Sequence, residues 1–198
     1  MNPNYYKKFL ICKMSDSNSK DIAFELSLLH TLSGADYSRQ VEHIAKHKEF
    51  YPLEKEGSIF IYGGQMAPDY KNLLHAAHKL VMRGFAVYIL PNPKGIRTPD
   101  LILERKGIYN VYDLKTITGK ASVMNRLYES IGQTNKVILH MISKYDATLL
   151  STEIKNYFQN SPSALEVIVL KGNKTIYIKR KMVFDKNFIP RFRREYEK

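Results

Sequence analysis

Asp100, Asp113 and Lys115 are the residues of this 198-residue chain whose types and spacing most directly suggest chemistry. They stand in Thr98-Pro99-Asp100-Leu101-Ile102-Leu103 and, after a short turn, in Tyr112-Asp113-Leu114-Lys115-Thr116. Each stretch is apolar with an acid at one end, and the second adds a lysine two positions after its acid. A β-strand alternates its faces with period two, so Asp113 and Lys115 project to one side and Leu114 to the other. If the two segments pair as neighbouring strands, Asp100 reaches the same patch. Two carboxylates are hard oxygen donors suited to Mg2+ or Mn2+, and the backbone carbonyl of Leu114 is a candidate third ligand. An ammonium group beside them can orient an attacking water or stabilise charge on a pentacoordinate phosphate. Thr98 and Thr116 flank the acids and are candidates for hydrogen bonds to phosphate oxygens. The set suits metal-dependent hydrolysis of a phosphodiester. An isolated Asp-x-Lys triplet arises readily by chance, so its setting in the chain has to carry the reading.

That setting is a mixed α/β pattern. Apolar residues at helical spacing mark helices over 21–32 (Ile22, Leu26, Leu29), with Asp16 or Ser19 near enough to cap the start, and over 38–49 (Val41, Ile44, Ala45), ending before Pro52. A short β-rich run over 58–62 closes on Gly63-Gly64. Pro68-Asp69 opens a helix through Arg83, with Leu73, Ala76, Ala77 and Leu80 on one stripe and Gly84 as its stop. A buried-type strand over 85–90 and a Pro-rich loop lead into the acidic stretch. A helix over 122–133, a strand over 136–142 and a helix over 148–159 follow. The chain then reads as a hairpin, 165–170 with 175–179, across Lys171-Gly172-Asn173. The spacing therefore predicts an N-terminal helical segment (1–56), an α/β core (57–182) and a basic, aromatic-rich tail (183–198). The tail suits either nucleic acid, through its cations and rings, or docking of its aromatics on the core.

Composition narrows the partners. The formal net charge of +12 favours a polyphosphate or an acidic protein, because released counterions drive association with nucleic acid. No apolar run approaches the roughly 18–20 residues of a membrane span, and the first residues lack the apolar core of a signal peptide. Cys12 stands alone, so neither a disulfide framework nor a cysteine metal cage forms. The expected setting is the cytoplasm, or the cytoplasm of a target cell for an effector delivered there. His43 and His47, four apart, have zinc-ligand spacing but no identifiable third ligand. His75 and His78 read as partly exposed helix histidines. The chain has neither a Gly-x-Ser-x-Gly elbow nor a P-loop. Arg126 and Lys120 suit phosphate contact or, equally, a solvated helix face.

With Thr98-Pro99-Asp100 followed by Asp113-Leu114-Lys115, the chain resembles the PD-(D/E)xK nuclease superfamily, the restriction-endonuclease-like fold. Within it the chain looks most like the nuclease domains of contact-dependent growth-inhibition toxins and related mobile-element proteins. The resemblance covers about residues 59–142, including the helix ending at Gly84 and the helix over 122–133 before Lys136-Val137-Ile138-Leu139. It implies a mixed sheet flanked by helices and an endonuclease acting on DNA or on RNA such as tRNA. It implies Mg2+ or Mn2+ held by Asp100 and Asp113, Lys115 as the catalytic lysine, Gln133 near the substrate, and an acidic immunity protein as a further partner. One feature departs from the family: the glutamate common on the first core helix is missing between Asp69 and Arg83. Asn72 falls nearest that place, and Glu25 on the earlier helix is the other candidate ligand. A chain with neither would hold its metal weakly, or be an inactive relative that binds nucleic acid without cutting it; the net charge separately admits a protein-interaction module.

Overall fold

The computed structural model describes residues 22–53, 56–63, 70–93, 97–119 and 122–198. The expected caps at Asp16 or Ser19, the Pro68-Asp69 helix start, Cys12 and Lys120 lie outside the described residues. Among those residues an eight-stranded mixed sheet runs in chain order, β1 to β8, with helices on both faces. Its strands are β1 (Phe50–Leu53), β2 (Glu56–Tyr62), β3 (Ala86–Ile89), β4 (Leu101–Arg105), β5 (Ile108–Ile117), β6 (Lys136–Met141), β7 (Glu166–Lys171) and β8 (Lys174–Lys179). β2 runs parallel to β3, β5 to β6 and β6 to β7, and the other neighbours are antiparallel. The helices are α1 (Ile22–Leu28), α2 (Gly34–Ala45), α3 (Lys71–Val81), α4 (Val123–Glu129), α5 (Ala147–Asn160), α6 (Arg180–Val183) and α7 (Phe188–Glu197). No helix among the described residues is long and apolar enough to cross a membrane.

Each face of the sheet has its own core. On one face α3 lays Ala76, Ala77 and Leu80 against Leu101, Leu103, Tyr112 and Ile138. Two small alanines let the helix axis approach the strands closely. The other face is shared. Leu26 of α1 and Val41 and Ile44 of α2 cover Ile102 and Val111. Farther along, α4, α5 and α7 cover Ile117, Val137, Leu139, Val167 and Val169. Between Val111 and Ile117, where one helical layer gives way to the next, β5 carries Asp113 and Lys115.

Two segments differ from what the spacing predicts. The expected N-terminal helical segment also supplies an edge strand, since Phe50 to Leu53 pair with β2. Residues 188–197, expected as a tail, form α7, and their period of four buries Phe188, Phe192 and Tyr196 against the core. The basic run at the end of β8 is also engaged. Arg180 Nη1 donates to the Phe158 and Ser161 carbonyls at 2.8 and 3.0 Å, satisfying oxygens orphaned where α5 ends.

Candidate active site

A two-residue turn sets the site. Lys106 (φ 55°) and Gly107 (φ 77°) both adopt positive φ between β4 and β5. Two such residues in succession are what a type I′ hairpin turn requires, and that turn fixes register. Arg105 then pairs with Ile108 and Leu101 with Tyr112. One step further along, Asp100 lies across from Asp113. Asp100 N–H donates to the Tyr112 carbonyl at 3.1 Å, and the Leu114 N–H donates to Asp100 Oδ2 at 2.7 Å. The N–H and C=O of one strand residue face the same edge. The Leu114 carbonyl therefore faces the edge on which Asp100 stands.

Asp113 is the centre of the arrangement. It is 1% exposed, and Lys115 Nζ lies 2.9 Å from its Oδ2. With its amide nitrogen toward the carboxylate, Gln133 donates to Asp113 Oδ1 at 2.9 Å and Oδ2 at 3.1 Å. Burial pushes the Asp113 carboxyl up to about 8, and its hydrogen bond with Asp100 and the charge of that acid push the same way. Lys115 opposes them without cancelling them. The physical reason is that two adjacent acids away from water favour holding one proton between them over two bare charges.

The donor set fits a hard divalent cation. Asp100 and Asp113 supply hard carboxylate oxygens, the Leu114 carbonyl faces the edge on which Asp100 stands, and a cation bound there would offset the repulsion that raises Asp113. The third acidic ligand is another matter. Among the described residues no group of three or more His, Cys, Asp or Glu side chains is gathered as a metal cluster. Asn72 is exposed on α3, which covers the sheet face opposite Asp113. Glu25 belongs to α1 on the same face as Asp113, but its Oε2 lies 3.6 Å from His43 Nε2 and accepts no hydrogen bond.

The remaining expected residues divide. Thr98 is buried two residues before Asp100. Thr116 pairs with His140, and strand alternation sends it to the α3 face with Tyr112 and Leu114. Arg126 is exposed on α4 and ion-pairs with Glu129 at 3.0 Å. His75 is exposed on α3, and its ring packs edge-on against His140 at 4.8 Å.

That last contact belongs to a cluster the spacing did not reveal. His140 is fully buried, and its Nε2 lies 3.4 Å from Lys79 Nζ on α3. Burial, then the nearby positive charge of Lys79, lowers His140 to about 4. Burial lowers Lys79 and His75 as well. A signal existed in the sequence: His140 interrupts the otherwise apolar run Val137-Ile138-Leu139-His140-Met141.

No family model matches the chain, and no curated protein matches it. A solved structure with some likeness is a chain of the CdiA-CT/CdiI toxin and immunity complex from Burkholderia pseudomallei. The likeness covers 61% of this chain and 98% of that one, at 17% identity and a TM-score of 0.39. A likeness that loose transfers no chemistry from one chain to the other.

Proposed function

We propose that the chain is a metal-dependent nuclease that hydrolyses phosphodiester bonds in DNA or RNA, with Asp100, Asp113 and Lys115 as its reacting groups. The observation that carries the reading is the buried Asp113, across the β4–β5 pair from Asp100 and held 2.9 Å from the Lys115 ammonium. Burying such a group costs stability whatever its role, and perturbed acids beside a cation concentrate at reactive sites.

When bound by Asp100, Asp113 and the Leu114 carbonyl, Mg2+ or Mn2+ supplies the acidity that makes a water nucleophilic near neutral pH. The residues of the chain prepare for that. Asp100 fixes the β5 edge through the Leu114 N–H, which holds the two acids in register. Asp113 gives up its proton as the site charges, and Gln133 keeps the carboxylate oriented. Lys115 has three N–H donors. One meets Asp113, and the others are available to a phosphate oxygen as negative charge grows there. The net charge of +12 draws a polyanion to the surface; an acidic immunity protein is a second partner this reading accommodates.

The test is cleavage of plasmid DNA and of total tRNA with Mg2+, Mn2+ or EDTA. Cutting with metal and none with EDTA is expected, with Asp113→Asn inactive although folded. Cutting undiminished in Asp113→Asn, or none with any metal and substrate, overturns the assignment. The second outcome, with binding retained, would favour a nucleic-acid-binding relative. The gathering of only two acids at the site, among the described residues, is what speaks for that alternative.

A further inference from the structure

Beside Gln133, the residue that meets Asp113, lies a cleft of about 370 Å3, a volume in the range of small-ligand sites. One wall is the end of α1 and the start of α2, with His30, Ser33 and Tyr37. The other is the loop from α4 to β6, with Gln133, Thr134 and Asn135. Gln133 is shared: it lines the cleft and donates to Asp113. The walls are tied together three residues before Asp100. His30 Nε2–H donates to the Arg97 carbonyl at 3.0 Å, while Arg97 Nη2 donates to the Glu129 carbonyl at 2.8 Å.

The lining chemistry is selective. Although Lys and Arg make up 31 of the 198 residues, the lining contains no Lys, Arg, Asp or Glu. Phosphate is normally met by cations, whereas base edges are met by amides and hydroxyls and base faces by aromatic rings. The cleft offers the second kind. Ser33 stands at the N-cap of α2, yet its hydroxyl makes no cap hydrogen bond. The Asn135 main chain is engaged through its carbonyl, which accepts from Leu165 N–H. Tyr37 packs on the α1–α2 core and is partly buried.

We propose that this cleft takes one unpaired nucleobase of the strand being cut, stacked on Tyr37 and hydrogen-bonded by Asn135 and Ser33. The proposal rests on the nuclease reading and narrows it to single-stranded or unpaired nucleic acid. A base within a duplex cannot enter a cleft between two protein walls without leaving the stack. Lys115 and the acids act on the backbone while the cleft holds the base beside them.

The experiment uses the full chain with Asp113→Asn, so that it binds without cutting. Three labelled ligands of equal length are compared at one salt concentration: oligothymidylate, an abasic deoxyribose-phosphate strand and a duplex. Oligothymidylate is expected to bind about tenfold tighter than either of the others, within the span that stacking one base covers. Adding Tyr37→Ala or Asn135→Ala should erase that preference and leave abasic binding and its salt dependence unchanged. Tyr37→Phe should keep the preference within about twofold, since the ring remains. Asn135→Ala carries the test by itself if thermal melting shows Tyr37→Ala unfolded. Salt-dependent binding that is equal for all three ligands overturns this inference and leaves the nuclease reading standing. Failure to bind any of them overturns both.

Discussion

The strands β5 and β6 carry a buried ionisable cluster on each face of the sheet, and the two respond to burial in opposite chemical directions. On one face Asp113 holds a proton it would normally have lost, raised to about 8 beside Asp100. On the other, His140 refuses a proton it would normally take near neutral pH, lowered to about 4 beside Lys79. In both, removal from water penalises the charged form. The surroundings separate them. The acidic cluster lies where the α1–α2 layer ends, next to an open cleft and a lysine of opposite charge. The basic cluster lies under α3, where every neighbour that shifts His140 is another base. Only the acidic cluster carries carboxylates, the donors that a hard divalent cation takes. Under the nuclease reading, burial there serves reactivity, while burial under α3 keeps a histidine neutral inside a core.

Four experiments break or sharpen that contrast. The largest effect is expected for Lys115→Met, which removes the cation from the acidic face. Cleavage should fall roughly 10²–10³-fold, as for loss of a charge-stabilising donor, in a steady-state assay with saturating Mg2+. An unchanged rate would leave Lys115 a mere partner of Asp113. Next is Gln133→Leu, which releases Asp113 without touching the acids. A loss of about 10–100-fold is expected, the range for an outer-shell partner of a metal ligand, with a matching rise in the Mg2+ concentration needed for half-maximal rate.

The third compares pH limbs of stability, measured as denaturant midpoints. Folded Asp113 keeps its proton to about 8 and the unfolded chain releases it near 3.8, so the folded state binds more protons between those values. Its contribution is therefore full below pH of about 4 and lost as pH climbs through about 8. His140 has the reverse sign. Its folded value of about 4 lies below the ordinary 6.5, so its contribution is lost as pH falls from 6.5 through about 4. Asp113→Asn should remove the fall in stability between about pH 6.5 and 8, where Asp113 alone of the two titrates, and unmask the rise from about 4 to 6.5 that His140 causes; His140→Leu should instead let the fall begin near 4. The same profile in both variants would contradict the separation of the clusters. The smallest effect belongs to Thr116→Val. Thr116 is the immediate neighbour of Lys115 but stands on the α3 face, so cleavage should remain within about twofold by strand alternation.

Much of the candidate site's geometry is legible in the chain itself. Asp113 and Lys115 share a face because strand period is a property of the backbone, and Lys106-Gly107 marks a tight turn whose register brings Asp100 opposite. The same alternation excludes Thr116, since an odd offset from Asp113 reverses the face. The acidic ligand count is harder. Asn72 and Glu25 are both reasonable candidates along the chain, but which face each helix covers depends on long-range packing. α3 goes to one side with its alanines and α1 to the other with Leu26. The spacing of Phe188, Phe192 and Tyr196 holds a helical signal that the reading of 183–198 as a tail leaves unused, whereas the docking of α7 on the core depends on an apolar surface built by α5 and β8.

By itself the sequence determined what local geometry can encode: most strands and helices of the core near their observed positions, a short turn, and an acid with a lysine on one strand face and a second acid across the turn. Tertiary structure alone decided the protonation of the acidic pair, because an acid keeps its proton only when surrounding chain removes the water. It also decided that Gln133, twenty residues along, closes on Asp113, and that residues 30–37 and 132–135 form two walls of one cleft. Those outcomes depend on distances between segments remote in sequence, which no local preference specifies.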